Sequence, residues 1–265
     1  MTLLTEPAPE LLIEVLRGDR ARRPRRDDTT AAGLRALLED HVFEIFGPER
    51  RATPVIVSSA TMRSAGPNRE ISDSSLSRVR GMAISTLLRL LVAQVHVENP
   101  YDDALCAWRG ERPHDDLLSV VEHLDADQAA RLRADVCAHF ATLANNLGPI
   151  PSNWWPHTSQ RARQMLGGGN VQLRDVVDLV VGSTHCDLAS VALVDVTTSP
   201  LGAGTERVMR FHALVQTLRT SVVPLRTSMF SSATGELWTL DVDAELLMRA
   251  VDDLIGTFVS AEASS

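Results

Sequence analysis

The stretch Asp175-Val-Val-Asp178-Leu-Val-Val181, followed by Ser190-Val-Ala-Leu-Val-Asp195-Val196, decides the fold of this chain. Both runs are rich in Val and Leu, which predicts two β-strands that are buried on both faces. The runs are close in the sequence, so they can pair as an antiparallel hairpin. If the turn is centred at 186–187, paired residue numbers sum to 373, which puts Asp178 opposite Asp195.

The two aspartates are unusual residues for such strands. Aspartate is depleted in strands because a buried charge must be paired, hydrated or bound to a metal. Two carboxylates side by side repel each other unless a cation lies between them. The register puts both on one side of the sheet. The hairpin therefore predicts a cation between Asp178 and Asp195, and the alternative is a pair of hydrated acids at strand ends.

The hairpin resembles the core of the PD-(D/E)XK nuclease superfamily, particularly its RecB-type exonuclease branch. In that family a strand with the pattern G-x-x-D-hydrophobic is followed by a strand with (D/E)-x-K. Here the strands read Val177-Asp-Leu-Val-Val-Gly182 and Val194-Asp-Val-Thr197. The resemblance implies an α/β fold with a central mixed β-sheet flanked by helices, a restriction-endonuclease-like core. It also implies Asp178, Asp195 and Thr197 as catalytic residues, with Asp178 and Asp195 as ligands of Mg²⁺ or Mn²⁺ and Thr197 where the family has its lysine.

Other family motifs are altered as well. RecB-type members have a helix with R-G-x-x-x-H, whose histidine joins the metal site, and here Arg80-Gly81 leads to Ser85 at that position. A later family helix has Q-x-x-x-Y, and here Val208 and His212 take those places. Loss of a positioned acid–base group typically costs about 10²- to 10⁴-fold in rate. Arg210, on the same predicted helix, is the candidate substitute for the missing cation.

Composition limits the class of protein. The 26 basic residues are all arginine, and with 34 acidic residues the net charge is −8, which excludes a surface built entirely for nucleic acid but allows a local basic patch. Three widely spaced cysteines give neither a disulfide framework nor the four ligands of an iron–sulfur cluster. Residues 1–10 lack the basic region and apolar core of a signal peptide, and no apolar run reaches membrane-spanning length. The sequence therefore predicts a cytoplasmic protein without a membrane segment.

Two segments combine basic residues with features of nucleic-acid binding. Residues 1–30 contain an arginine run at 17–26 and are predicted to be a mobile arm, which would either bind phosphates or be solvated. Trp154-Trp155 precede Arg161 and Arg163, a composition that stacks on bases or packs in a core. We expect Arg161, Arg163 and Arg210 to contact nucleic acid.

Residues 31–262 are predicted to form a single nuclease-like domain, mostly helical over 31–150 and sheet-bearing over 151–262. Hydrophobic periodicity and helix-end signals predict most of its elements. The segment from Thr158 to Leu166 is predicted to be a short helix and Ser58 to Asn68 a loop. The other predicted helices cover residues 30–45, 74–97, 126–147, 206–219 and 244–259, and the later strands cover 225–231 and 238–242.

The family resemblance and its altered motifs lead to a functional expectation. We expect a nuclease-fold protein that acts on DNA with Mg²⁺ or Mn²⁺, and whose phosphodiester hydrolysis is weak or lost. The alternative is a catalytically inactive nuclease fold that serves as a nucleic-acid-binding or protein-interaction module. DNA is the expected partner, with a protein partner as the second candidate. The sequence does not fix the oligomeric state or the DNA strand preference.

Overall fold

The structure is a computed structural model that describes residues 12–18, 23–49, 51–64, 75–109 and 115–263. The helices of the described residues are α1 (Leu12–Arg17), α2 (Thr30–Phe46), α3 (Ser59–Ser64), α4 (Ser75–Val92), α5 (Pro100–Arg109), α6 (Asp115–Glu122), α7 (Ala126–Leu147), α8 (Thr205–Thr220) and α9 (Ala244–Glu262). The strands are β1 (Val55–Ser58), β2 (His157–Leu166), β3 (Val171–Val181), β4 (Ala192–Thr197), β5 (Arg226–Ser231) and β6 (Leu237–Asp241).

All six strands belong to one mixed sheet. Its main path runs β1-β3-β4-β5-β6, and β2 also pairs with β3. The β1–β3 and β4–β5 pairs are parallel, whereas β2–β3, β3–β4 and β5–β6 are antiparallel. The mixed sheet with helices on both faces confirms the predicted α/β fold class.

Strand β3 organises the sheet because three other strands pair with it. Strand β2 follows β3 from residue 171 to residue 180, so it occupies one whole edge. Strand β1 pairs with 171–174 and β4 with 179–181, so these two strands must share the other edge. Between them, residues 175–178 of β3 have no strand partner on that edge among the described residues. We call this interval the strand gap.

Two hydrophobic layers cover the two faces of the sheet. On one face, α2, α3, α8 and α9 pack with β-strand residues such as Val57, Leu173 and Met229. On the other, α1 and α4 to α7 pack with residues such as Leu179, Val194 and Phe230. The strands therefore contribute buried side chains to both layers. The two longest helices lie on different faces, α7 on one and α9 on the other.

The ends of α7 follow directly from the sequence. Asp125 caps the helix by accepting a hydrogen bond from Gln128 N, and the Gln128 side chain bonds back to Asp125 N, which forms a capping box. At the other end Gly148 has φ of 70°, a left-handed conformation that favours glycine. These contacts confirm the predicted helix from 126 to 147.

Two predicted elements are wrong. Residues 157–166 form strand β2 and not a helix, because a turn at 167–169 folds them against β3 along its whole length. Tertiary pairing outweighs the weak local helical preference of this polar segment. Residues 59–64, predicted to be a loop, form α3 directly after β1.

The described part of the predicted arm packs against the body of the protein, so a mobile arm over 1–30 is wrong for those residues. Leu12 and Leu16 of α1 are buried in the layer that contains α7. Farther on, Arg25 forms an isolated antiparallel bridge with Leu188, and Arg26 N donates to Asp187 O at 2.9 Å. Arginines 20 and 22 of the basic run lie outside the described residues.

Among the described residues, no helix combines the length and the apolar character that a bilayer crossing requires.

Candidate functional site

The predicted hairpin register is confirmed. Leu179 pairs with Val194 and Val181 with Ala192, and both pairs sum to 373. The ladder ends there, and the next pair in the register is Asp178 with Asp195. The two strands separate at this point, at the end of the strand gap.

Asp178 lies in the strand gap itself. One carboxylate oxygen accepts a hydrogen bond from Ser85 Oγ of α4 at 2.9 Å, and the other accepts from the backbone N–H of Val196 at 2.9 Å. The regular pairing of β2 with β3 is also interrupted opposite Asp178, where Ser159 of β2 has a φ of 51°. The carboxylate of Asp178 thus replaces a backbone acceptor where the sheet opens.

Asp195 contacts a different layer. Its carboxylate lies 3.5 Å from His212 Nε2 of α8, and it also hydrogen bonds to the Asp178 carboxyl. The expectation that both acids lie side by side on one face is therefore wrong in detail. Asp178 is held from the α4 side and Asp195 faces α8, and the two carboxyl groups meet across the strand gap.

The other ring nitrogen of His212 contacts Asp175. Its Nδ1 lies 2.9 Å and 3.0 Å from the two carboxylate oxygens of Asp175, and both side chains are almost completely buried. The imidazole thus links Asp175 of β3 to Asp195 of β4. Nε2 lies 3.5 Å from the Asp195 carboxylate, which is its polar neighbour.

The pKa values of this cluster follow from burial and charge. Burial raises the pKa of Asp178, and the neighbouring charge of Asp195 raises it further, to about 8. Burial alone would raise the pKa of Asp195, but the hydrogen bond and charge of His212 outweigh it and lower this pKa. Burial of His212 lowers its pKa, but Asp175 and Asp195 more than compensate and raise it to about 10. Both shifts favour the protonated forms, a neutral Asp178 carboxyl and a His212 imidazolium.

These protonation states balance the charges of the cluster. The side chains of Asp175 and Asp195 both lie against His212, and the charge of Arg63 on α3 also lowers the pKa of Asp195. A divalent cation between Asp178 and Asp195 would lie beside an imidazolium and would have to displace a proton. Within the described ranges, no group of three or more His, Cys, Asp or Glu side chains has the geometry to hold a metal ion. As arranged, the cluster does not fit a divalent metal.

Two other predicted positions, Ser85 and Thr197, lie on α4 and at the end of β4. Ser85 occupies the position expected from the R-G-x-x-x-H motif and contacts Asp178 directly. Thr197 ends β4, pairs with Ser231 of β5, and its Oγ1 accepts from Ser199 N at 3.2 Å. Alternation puts Thr197 on the same face as Asp195, as predicted.

The prediction that Arg210 replaces the missing cation is wrong. Its guanidinium binds Asp253 of α9 through Nε at 2.9 Å and through another nitrogen at 2.8 Å, and it also contacts Glu206 at 3.4 Å. These acids hold Arg210 on the α8–α9 surface. The buried cation of the strand gap is His212, two residues farther along the same helix.

The predicted basic and aromatic residues separate into different environments. Arg161 and Arg163 are exposed on β2. Trp154 packs against the hydrophobic layer of α4 and α7, with the Arg17 guanidinium 6.0 Å from its ring centroid. Trp155 is 65% exposed. The structure therefore supports the packing alternative for Trp154 and leaves Trp155 in solvent.

Sequence reasoning missed Asp175 and Arg63 as members of the cluster. A signal for Asp175 was present, because it stands in the same apolar strand as Asp178 and a buried acid needs a partner. That partner, His212, is 37 positions away in the sequence, so local patterns could not identify it. Arg63 belongs to a segment that was predicted to be a loop.

Comparison with known proteins does not assign this chain to a family. No family model matches the chain, and no curated protein matches it. Among solved structures, the chain is similar to one titled "Crystal structure of SSO0001", with 8% sequence identity and a TM-score of 0.31 over 83% of this chain and 84% of that chain. A TM-score of this size does not establish a shared fold.

Proposed function

We propose that this protein is a PD-(D/E)XK-like nuclease-fold protein that acts on DNA and in which metal-dependent phosphodiester hydrolysis is weak or lost. Support comes from the strand gap, where Asp178 and Asp195 meet one step beyond the last pair of the antiparallel hairpin. Ser85 of the preceding helix contacts this pair, and His212 of the following helix contacts it from the other face. The resemblance predicted contributions from both helices.

The main support for weak or lost hydrolysis is the buried side chain of His212, which lies between Asp175 and Asp195. Hydrolysis of a phosphodiester needs a metal ion that carboxylates hold, because the ion polarises the phosphoryl oxygen and lowers the pKa of a bound water. Here the imidazolium already compensates Asp195, and Asp178 carries a proton at neutral pH. In the family, a lysine supplies the positive charge beside the acids. Here His212 supplies it, and this side chain is buried against the acids.

The proposal is tested by a cleavage assay on linear single- and double-stranded DNA with Mg²⁺ and with Mn²⁺. We expect the wild-type rate to lie within about tenfold of the Asp195→Ala rate, given the about 10²- to 10⁴-fold cost of a missing acid–base group. Rapid Mg²⁺-dependent cleavage that Asp195→Ala abolishes would contradict the loss of hydrolysis and would support an active nuclease.

Restoring the family's lysine should raise activity. We expect Thr197→Lys to increase Mg²⁺-dependent cleavage by about 10- to 100-fold, because residue 197 shares a face with Asp195 and a lysine there can orient an attacking water. Adding Ser85→His should increase the rate further. Initial cleavage rates on labelled DNA measure both effects.

The matched control is Thr198→Lys, which adds the same charge one residue beyond the end of β4 and should leave the rate unchanged. A folded Thr197→Lys protein that remains inactive would favour the second candidate function, an inactive fold that binds nucleic acid or a protein. The charge-balanced cluster favours that candidate too, because its carboxylates are satisfied without a metal. DNA binding that needs no divalent ion distinguishes the module from the enzyme.

A further inference from the structure

One part of the sheet is left uncovered by helices in the described chain. At the β1 end, β3 and its two neighbours expose one face to solvent. Arg163 pairs with Arg174 across β2 and β3, and Arg161 pairs with Val176. Directly paired residues point to the same side of a sheet, so the exposed side chains form one surface. We call it the open face, and its exposed residues are Ile56, Arg161, Arg163, Met165, Arg174 and Val176.

The burial pattern confirms which side is open. Val57, Leu173 and Val177 alternate with these residues and are buried in the layers on the opposite face. Ile56 is 43% exposed and Val176 is 46% exposed. The open face therefore contrasts with the opposite face of the same strands, where Val57, Leu173 and Val177 are buried.

The charge of the open face points to an anionic partner. Arg161 and Arg163 form no ion pair or hydrogen bond with a described side chain, and Arg174 bonds to Gln172 at 2.8 Å. None of the six residues of the open face is acidic. Several other exposed arginines of this acidic protein are paired, among them Arg78 with Asp116 and Arg249 with Glu245. Unpaired arginines on a sheet are the electrostatic signature of phosphate binding.

The apolar residues of the open face indicate which form of nucleic acid fits. Ile56, Met165 and Val176 lie on the same three strands as the arginines, within about 10 Å of sheet width. The bases of a duplex are stacked inside and reach a flat surface only through the grooves. An extended single strand can bring phosphates to the arginines and bases or sugars to the apolar side chains at the same time.

We propose that the open face is a docking surface for single-stranded DNA; this inference rests on the proposed action on DNA. Val176 precedes Asp178 by two residues, or about 7 Å along β3. A strand bound on the open face therefore lies beside the strand gap. The surface, and not the acid cluster, supplies the binding energy for DNA.

Fluorescence anisotropy with a labelled oligo(dT) and with a duplex of the same length tests the docking surface. The variant is the triple substitution Arg161→Gln, Arg163→Gln and Arg174→Gln. We expect it to lower single-strand affinity by at least about tenfold, and to reduce the slope of log affinity against log salt by about 2, because each single-strand phosphate contact contributes about 0.7 to the slope. The wild type should bind the single strand more tightly than the duplex.

The matched control removes the same charge elsewhere, with Arg78→Gln, Arg133→Gln and Arg249→Gln, three exposed arginines that pair with Asp116, Asp102 and Glu245. It should bind like the wild type. Equal binding by both triple variants would overturn the docking surface and leave the proposed function intact. Tighter duplex binding would overturn the single-strand assignment. A wild type that binds neither DNA, but binds a protein through the open face, would overturn both.

Discussion

Replacing Asp175 with alanine is expected to lower the free energy of unfolding by about 3–5 kcal/mol, the cost of removing one partner from a buried ion pair. Asp175 holds His212 through both carboxylate oxygens, and the side chains are 2% and 1% exposed. If the imidazole loses its charge in response, its Nδ1–H still remains buried without that acceptor. Urea unfolding of the wild type and of Asp175→Ala measures the difference.

Two controls separate the lost pair from lost packing. Breaking the exposed pair with Glu245→Ala, which releases Arg249, should cost less than about 1 kcal/mol. The double variant Asp175→Leu, His212→Phe should regain much of the stability, because apolar residues of similar volume often replace a buried pair without loss. A loss below about 1 kcal/mol in Asp175→Ala would show that His212 does not depend on Asp175.

The stability of the protein is expected to fall as the pH rises from 6.5 toward about 10. His212 has a pKa of about 10 in the folded state and 6.5 as the ordinary value, so the folded state binds more protons across this range. The contribution of His212 to the free energy of unfolding is complete below pH 6.5 and is lost as the pH rises through the pKa of the folded state. Asp178, with its pKa raised from 3.8 to about 8, acts in the same direction at lower pH. The total loss should be on the order of a few kcal/mol.

Urea unfolding at a series of pH values measures this dependence, and His212→Gln is the comparison. Glutamine does not titrate, so the slope of stability against pH should become smaller above pH 6.5. Wild-type stability that stays constant or rises between pH 6.5 and 10 would show that the imidazole is neutral in the folded protein.

The central hairpin could be predicted because its signal is local. Two apolar runs separated by a short turn define the register, and a buried acid in each run identifies the positions that matter. Strand β2 could not be predicted in the same way. It lies along the edge of the sheet with Arg161 and Arg163 in solvent, so its sequence lacks the apolar alternation of a covered strand.

The candidate site was predictable in part for the same reason. Asp178, Asp195 and Ser85 follow from motifs with fixed spacing, and the structure brings all three to the strand gap. The cation could not be identified from spacing, because Arg210 and His212 lie on the same helix and only its packing decides which one faces the acids. Asp253 on α9 binds Arg210, and Asp175 on β3 binds His212.

Long-range ¹H–¹⁵N NMR of the histidine side chains, at neutral pH with and without Mg²⁺, tests most directly whether His212 neutralises the acid pair. His212→Gln assigns the signal. We predict nitrogen shifts of a doubly protonated ring that remain unchanged when Mg²⁺ is added, because the imidazolium and not a metal compensates Asp195. A neutral ring in the Mg²⁺-bound protein, or a ring that loses its proton as Mg²⁺ binds, would contradict the account and would indicate a functional metal site.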